Sequence, residues 1–150
     1  MQARRSVAIV ASQYNSEFTE GLATHAQKEL ATLLPQDSPV QLFSVPGAFE
    51  IPLMVQEIAE RGSFNAIIAL GVIIQGETQH ARMVGETVTA ALMDISLRLK
   101  VPIIHEVLLL ENAEQARQRC VEEEINRGTE AARIAVRMIQ ALAEAKGARF

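Results

Sequence analysis

The side chains with the most chemical capacity fall in three short runs, each directly behind an apolar segment. They are Tyr14-Asn15, then Pro46-Gly47-Ala48-Phe49-Glu50, then Gln75-Gly76-Glu77-Thr78-Gln79-His80. Gly76-Glu77-Thr78, ahead of a helix start, offers free backbone N–H groups, a hydroxyl and the positive end of a helix dipole, which together suit an anion. The plainer alternative is a glycine turn with Thr78 as the helix N-cap. His80 is expected in the first helical turn behind that loop. An imidazole there can take or give a proton near neutrality. His25, inside a helix, reads as packing or surface, and His105, inside a strand, is compatible with either the core or a pocket.

A carbonyl or phosphate substrate also needs a cation, yet residues 48–110 carry more acids than bases. Arg117, Arg119 and Arg127, just past the last strand, are the candidates. Metal ligation finds no support, because the histidines form no close pair and share no carboxylate at helical spacing. There is no Walker sequence, no dinucleotide fingerprint and no serine elbow. Cys120 lacks an activating neighbour and reads as a small buried hydrophobe. Glu122-Glu123-Glu124 reads as a solvated face.

The elements that must carry these residues follow from hydrophobic periodicity. Val7–Ala11 is a β-branched run, and Gln13-Tyr14-Asn15-Ser16 supplies a turn and N-cap for a helix over 16–34, whose core face is Phe18, Leu22, Ala26, Leu30 and Leu33. Val40–Val45 is a second strand, followed by a helix with Pro52 in its first turn that closes on Gly62. Asn65–Ile74 is almost wholly apolar, as in a central strand of a parallel sheet. Val84, Val88, Leu92, Ile95 and Leu99 mark the next helix, and Val101–Leu109 a fourth strand, interrupted by His105 and Glu106. Asn112 with Gln115 resembles a capping box opening a short helix. The last helix begins near Asn126, with Ala131, Ala135, Met138, Leu142 and Ala145 on its core face. Four strands alternating with helices predict a single α/β domain over 1–150, layered around a parallel sheet with right-handed crossovers. Ligands in such sheets bind beyond the carboxyl ends of the strands, where the three polar runs fall.

Composition narrows the partners. The chain has no Trp, one Tyr and five Phe, too few rings for a single-stranded nucleic-acid platform. A net charge of −4, spread thinly, invites neither nucleic acid nor an anionic membrane. Arg4 and Arg5 before an apolar run resemble a secretion signal, but that run is shorter than the ~7 to 15 residues required. No apolar stretch approaches the ~20 residues of a membrane span. With one cysteine, a reducing, cytoplasmic setting is expected.

Taken in order, these segments resemble the lumazine synthase family. The likeness runs from about Val7 to Met138. It rests on Tyr14-Asn15, the block from Val45 to Pro52, Leu70 to Ile74 with Gly76-Glu77-Thr78-Gln79-His80, Glu111 to Ala116 with Arg119, and Asn126-Arg127-Gly128. The resemblance implies a flavodoxin-like three-layer sandwich and the condensation of 5-amino-6-(D-ribitylamino)uracil with 3,4-dihydroxy-2-butanone 4-phosphate, without metal or organic cofactor. It implies that Tyr14 stacks on the pyrimidine, and that Ala48, Phe49, Glu50 and the backbone of Val72, Ile73 and Ile74 hold the ribitylaminouracil, with His105 beside it. Glu77, Thr78 and Arg119, the last from a neighbouring subunit, would bind the butanone phosphate, and His80 would transfer protons.

Three positions depart from the family pattern. His105 replaces a usual apolar aromatic, Gln75 a frequent base and Glu123 a common lysine. The last two move positive charge away from the phosphate side. Family members assemble as pentamers with sites between adjacent subunits, and some pentamers pack into a hollow icosahedral shell. The absence of an insertion between Arg119 and Gly128 resembles the shell-forming members, whereas little sequence precedes Val7 to extend a neighbour's sheet. A riboflavin synthase of similar fold would not need the phosphate loop or Arg119. A non-catalytic flavin-binding shell would not need His80 beside that loop, and a receiver-type domain would need an acidic cluster behind its first strand.

Overall fold

In the computed structural model, which describes residues 5–147, the chain forms a four-stranded parallel sheet with helices on both faces. Arg4, part of the signal-like reading, lies outside the described residues. The strands are β1 (Val7–Ser12), β2 (Val40–Val45), β3 (Ala66–Ile74) and β4 (Ile103–Leu110), in the order β2-β1-β3-β4. Every residue of β1 and β3 is buried. Both therefore occupy the centre, where an apolar strand is covered on its two faces. The edge strands β2 and β4 carry the exposed positions.

Helices α1 (Ser16–Leu33), α4 (Ala113–Cys120) and α5 (Arg127–Ala145) cover one face. Helices α2 (Ile51–Arg61) and α3 (Ala81–Leu99) cover the other. The period-2 alternation of the strands divides the core accordingly. Ile9, Ile68 and Leu70 pack under α1 and α5, while Val10, Ile67 and Ala69 pack under α2 and α3. The α/β sandwich expected from the sequence is the fold observed, and its strand order is that of a flavodoxin-like, doubly wound sheet.

Local chemistry sets the helix ends. Asn112 Oδ1 accepts from Gln115 N–H at 2.8 Å, and Gln115 Oε1 reaches back to Glu111 N–H at 2.8 Å, one residue earlier than in the expected capping box. Asn126 Oδ1 caps α5 through the N–H groups of Gly128 and Thr129. Gly128 is required by proximity: a Cβ there would sit 2.2 Å from the Leu22 carbonyl oxygen, so α5 and α1 touch backbone to backbone. Three expected core positions are not in the core, Ala145 at the end of α5 being exposed and the other two displaced by one residue. Leu33 and Met138 are exposed, and Leu34 and Ile139, one residue further on, are buried instead.

Candidate active site

The chain winds from β1 outward to β2, then crosses back to β3. The carboxyl ends of β1 and β3 are thus the point where the winding reverses, and a crevice opens there. A cleft of about 190 Å³ occupies it, lined by Tyr14, Gly47, Ala48, Phe49, Glu50, Val72, Ile73, Glu77, Thr78, Ala81 and Val84. Five stretches converge on it: the β1–α1 loop, the 3-10 turn Ala48–Glu50 ahead of α2 with Gly47 before it, the end of β3, the β3–α3 loop and the start of α3.

Short-range bonds hold these stretches together. Gln13 N–H donates to Val45 O at 2.8 Å and Tyr14 N–H to Pro46 O at 3.0 Å, which lays the tyrosine loop along the Pro46-Gly47 turn. Asn15 stands in the left-handed region (φ 60°, ψ 45°), and its Nδ2 donates to Val72 O at 2.8 Å and to Glu77 Oε2 at 3.3 Å. Two large rings remain uncovered, with Tyr14 61% and Phe49 64% exposed. Exposed aromatic surface beside buried Val72 and Ile73 offers a flat apolar slot for a heterocycle.

The β3–α3 loop is fully solvent-facing from Gln75 to His80. Gly76 takes φ 90°, a conformation that L side chains rarely adopt. His80 is not inside the helix as expected but is its N-cap, with α3 beginning at Ala81. Nor is Thr78 the cap: its Oγ1 accepts the His80 N–H at 3.1 Å, a local turn that delays the helix by two residues. The loop and its histidine stand at the positive end of α3, beside Glu77 and Thr78 of the cleft.

Eight residues expected at the site line this cleft together: Tyr14, Ala48, Phe49, Glu50, Val72, Ile73, Glu77 and Thr78. Ile74 is buried under α1 and α5 instead, and His80, two residues past Thr78, is not among the lining residues. Gly47, Ala81 and Val84 join the lining unannounced by the sequence reading, although Gly47 belongs to the quoted block.

His105 and Arg119 lie elsewhere on this chain. His105 faces α3 from edge strand β4 and lines a separate cleft with Ser96, Ile134 and Met138. Its Nδ1 accepts the Val107 N–H at 3.0 Å, which assigns the ring proton to Nε2, 2.7 Å from Thr89 Oγ1. The Thr89 hydroxyl in turn donates to Gly85 O at 2.7 Å. Burial holds the His105 pKa below its ordinary value, so the ring is neutral and fixed.

The structure sorts the three candidate arginines by their partners. Arg117 is paired with Glu114. Arg127 is held by Glu106, through Nη2 at 2.9 Å and Nε at 3.2 Å, and by Glu130. Arg119 makes no hydrogen bond or ion pair with any described residue and faces a polar hollow beside Glu123 and Asn126. It is the one of the three whose charge is unspent. Cys120 is fully buried, and desolvation pushes its thiol up to about 12, which removes it as a nucleophile. Among the described residues no group of three His, Cys, Asp or Glu is placed to hold a metal, and no helix is long and apolar enough to cross a membrane.

A doubly wound sandwich with two exposed rings, a glycine-turned loop and a helix N-terminus around the cleft at its switch point defines a flavodoxin-like protein. Comparison with known proteins sharpens that class. A family model described as 6,7-dimethyl-8-ribityllumazine synthase matches residues 4–143. A protein of that name from Burkholderia multivorans is 45% identical over 132 residues, covering 88% of this chain and 74% of the relative. Another from Paracidovorax citrulli is 40% identical over 138 residues, covering 92% and 87%. The chain belongs to the 6,7-dimethyl-8-ribityllumazine synthase family.

Proposed function

We propose that this chain condenses 5-amino-6-(D-ribitylamino)uracil with 3,4-dihydroxy-2-butanone 4-phosphate to give 6,7-dimethyl-8-ribityllumazine, phosphate and water. The observation that carries this reading is the convergence of Tyr14, the Ala48–Glu50 turn, Val72-Ile73 and Glu77-Thr78 on one cleft in a chain of this family. Tyr14 and Phe49 supply the faces against which the pyrimidine lies. The backbone of Val72 and Ile73, with Ile74 behind them, sets its depth. Glu77 and Thr78 present the loop to the butanone phosphate.

The chemistry asks for proton movement and charge neutralisation. The uracil amine adds to the ketone and water leaves as the imine forms. Phosphate is then expelled, and a second condensation closes the ring. His80, solvent-facing at the N-terminus of α3, can carry protons between these steps. Arg119 and the helix dipole meet the phosphate dianion. Holding the two reactants in register supplies much of the acceleration. The residues need no metal or organic cofactor for this sequence of steps.

A cleft of about 190 Å³ is smaller than the ~300 to 1,000 Å³ of a typical ligand site. His105 and Arg119 lie outside it. Both facts support a site completed by a second copy, whose His105 and Arg119 approach the Tyr14 cleft. Exposed apolar residues supply the two unlike surfaces such a contact needs: Leu53, Met93 and Leu97 on α2 and α3, and Ile134 and Met138 on α5. Head-to-tail contacts of that kind close into rings. The ring we propose is a pentamer, with an icosahedral shell of pentamers as its larger form, and we place it in the cytoplasm.

The test is to mix purified protein with both substrates and follow the fluorescence of the lumazine together with phosphate release. Turnover no faster than the uncatalysed mixture rejects the proposal.

A further inference from the structure

Asn15 occupies a place that helix chemistry does not explain. It is the N-cap residue of α1, yet its side chain makes no capping bond. Asparagine is favoured at such positions because its oxygen can accept a helix N–H, and that advantage is forgone here. Its backbone is left-handed, a conformation that asparagine tolerates better than most residues but that still carries a cost. What the turn gains is reach. The amide crosses from the loop behind β1 to the end of β3, donating to Val72 O at 2.8 Å and to Glu77 Oε2 at 3.3 Å. These acceptors belong to two walls of the cleft, and the residue before Asn15 is Tyr14, the third.

We propose that Asn15 is a positioning residue for the reaction above: its amide pins the tyrosine loop, the end of β3 and the anion loop to one another, and so sets the width of the slot between Tyr14 and Val72. This rests on the proposed function for its kinetic consequence but not for its geometry. Without the amide, the Glu77 carboxylate loses the Asn15 donor, and the solvent-facing loop from Gln75 to His80 loses its tie to the loop behind β1. Tyr14 is then held by backbone bonds alone.

The composition supplies a direct probe. The chain contains one Tyr and no Trp, so its intrinsic tyrosine emission reports Tyr14 and nothing else. Asn15→Gly keeps the left-handed backbone and deletes the amide. Asn15→Asp keeps size and conformational tolerance but replaces the donor with a carboxylate facing Val72 O and Glu77. Both should melt within a few degrees of the parent chain. Both should raise KM for the ribitylaminouracil roughly tenfold, the scale of one or two lost hydrogen bonds, with a smaller change in kcat. Asn15→Gly should also lower the steady-state anisotropy of Tyr14 in the ligand-free protein.

Unchanged KM in Asn15→Gly, or an Asn15→Asp variant as competent as the parent, overturns the proposal. If the parent chain itself makes no lumazine, the proposed function fails instead. The anisotropy measurement still decides the positioning role, and an unaltered Tyr14 signal overturns it.

Discussion

Replacing Arg127 by methionine tests how the charges around β4 are apportioned. Glu106 is 3% exposed, inside the α5-facing layer, and Arg127 grips its carboxylate with two N–H groups at 2.9 and 3.2 Å. Removing one partner of a fully buried pair costs ~3 to 5 kcal/mol. The Arg127 side chain is 38% exposed, so water reaches the vacated volume and lowers the penalty to ~2 kcal/mol. For a chain of this length that corresponds to a fall in Tm of ~4 to 8 °C.

The loss should depend on pH in a definite direction. Burial holds the Glu106 carboxyl above its ordinary value of 4.5, with Arg127 opposing the shift. A raised folded-state pKa means that folding favours the protonated form. Its stabilising effect is complete below 4.5 and is lost as pH rises through the folded value. Deleting Arg127 removes the opposing charge and raises that value further. The variant should therefore match the parent most nearly at about pH 4 and fall furthest behind at about pH 8. Thermal unfolding followed by circular dichroism, at matched protein concentration, measures the gap. Adding Glu106→Gln to Arg127→Met should close most of it at pH 8. A loss independent of pH, or no loss, would refute the reasoning that Arg127 is engaged by a buried carboxylate.

Two further substitutions address the proposed chemistry. His80→Ala should lower kcat by roughly 10²-fold while leaving both KM values near those of the parent, because a proton carrier contributes to the barrier more than to binding. Steady-state turnover at saturating substrates measures this. Arg119→Ala should raise KM for the butanone phosphate by roughly 10- to 100-fold and spare the ribitylaminouracil, as the loss of one charge-assisted contact requires. Titrating each substrate in turn separates the two.

Much of the architecture is legible in the chain because its signals are local. Nine consecutive buried residues in β3 can only lie centrally, and the polar runs behind the strands mark the edge where the cleft opens. The remaining features depend on partners far away in sequence. Asn15 reads as a cap from its neighbours and becomes a cross-link only because Val72 and Glu77 lie beside it in space. His80 reads as helical because the apolar period behind it is regular, while the Gly76 conformation and the Thr78 hydroxyl postpone the first turn. Glu106 reads as an interruption of a strand, since nothing local announces that Arg127 will neutralise it. His105 and Arg119 carry no mark of which face they occupy, and the fold sets them away from the cleft that they were expected to serve.

We propose lumazine synthesis at a site shared between copies. Its most direct measurement mixes two impaired proteins, His80→Ala and Arg119→Ala, in equal amounts, dissociates and reassembles them, and follows lumazine fluorescence at low butanone phosphate. If one chain supplies His80 and its neighbour Arg119, random reassembly restores both residues to about one site in four. Turnover should then rise to about a quarter of the parent's. Turnover no greater than the mean of the two separate variants would contradict a shared site, and a parent chain without turnover would contradict the function itself.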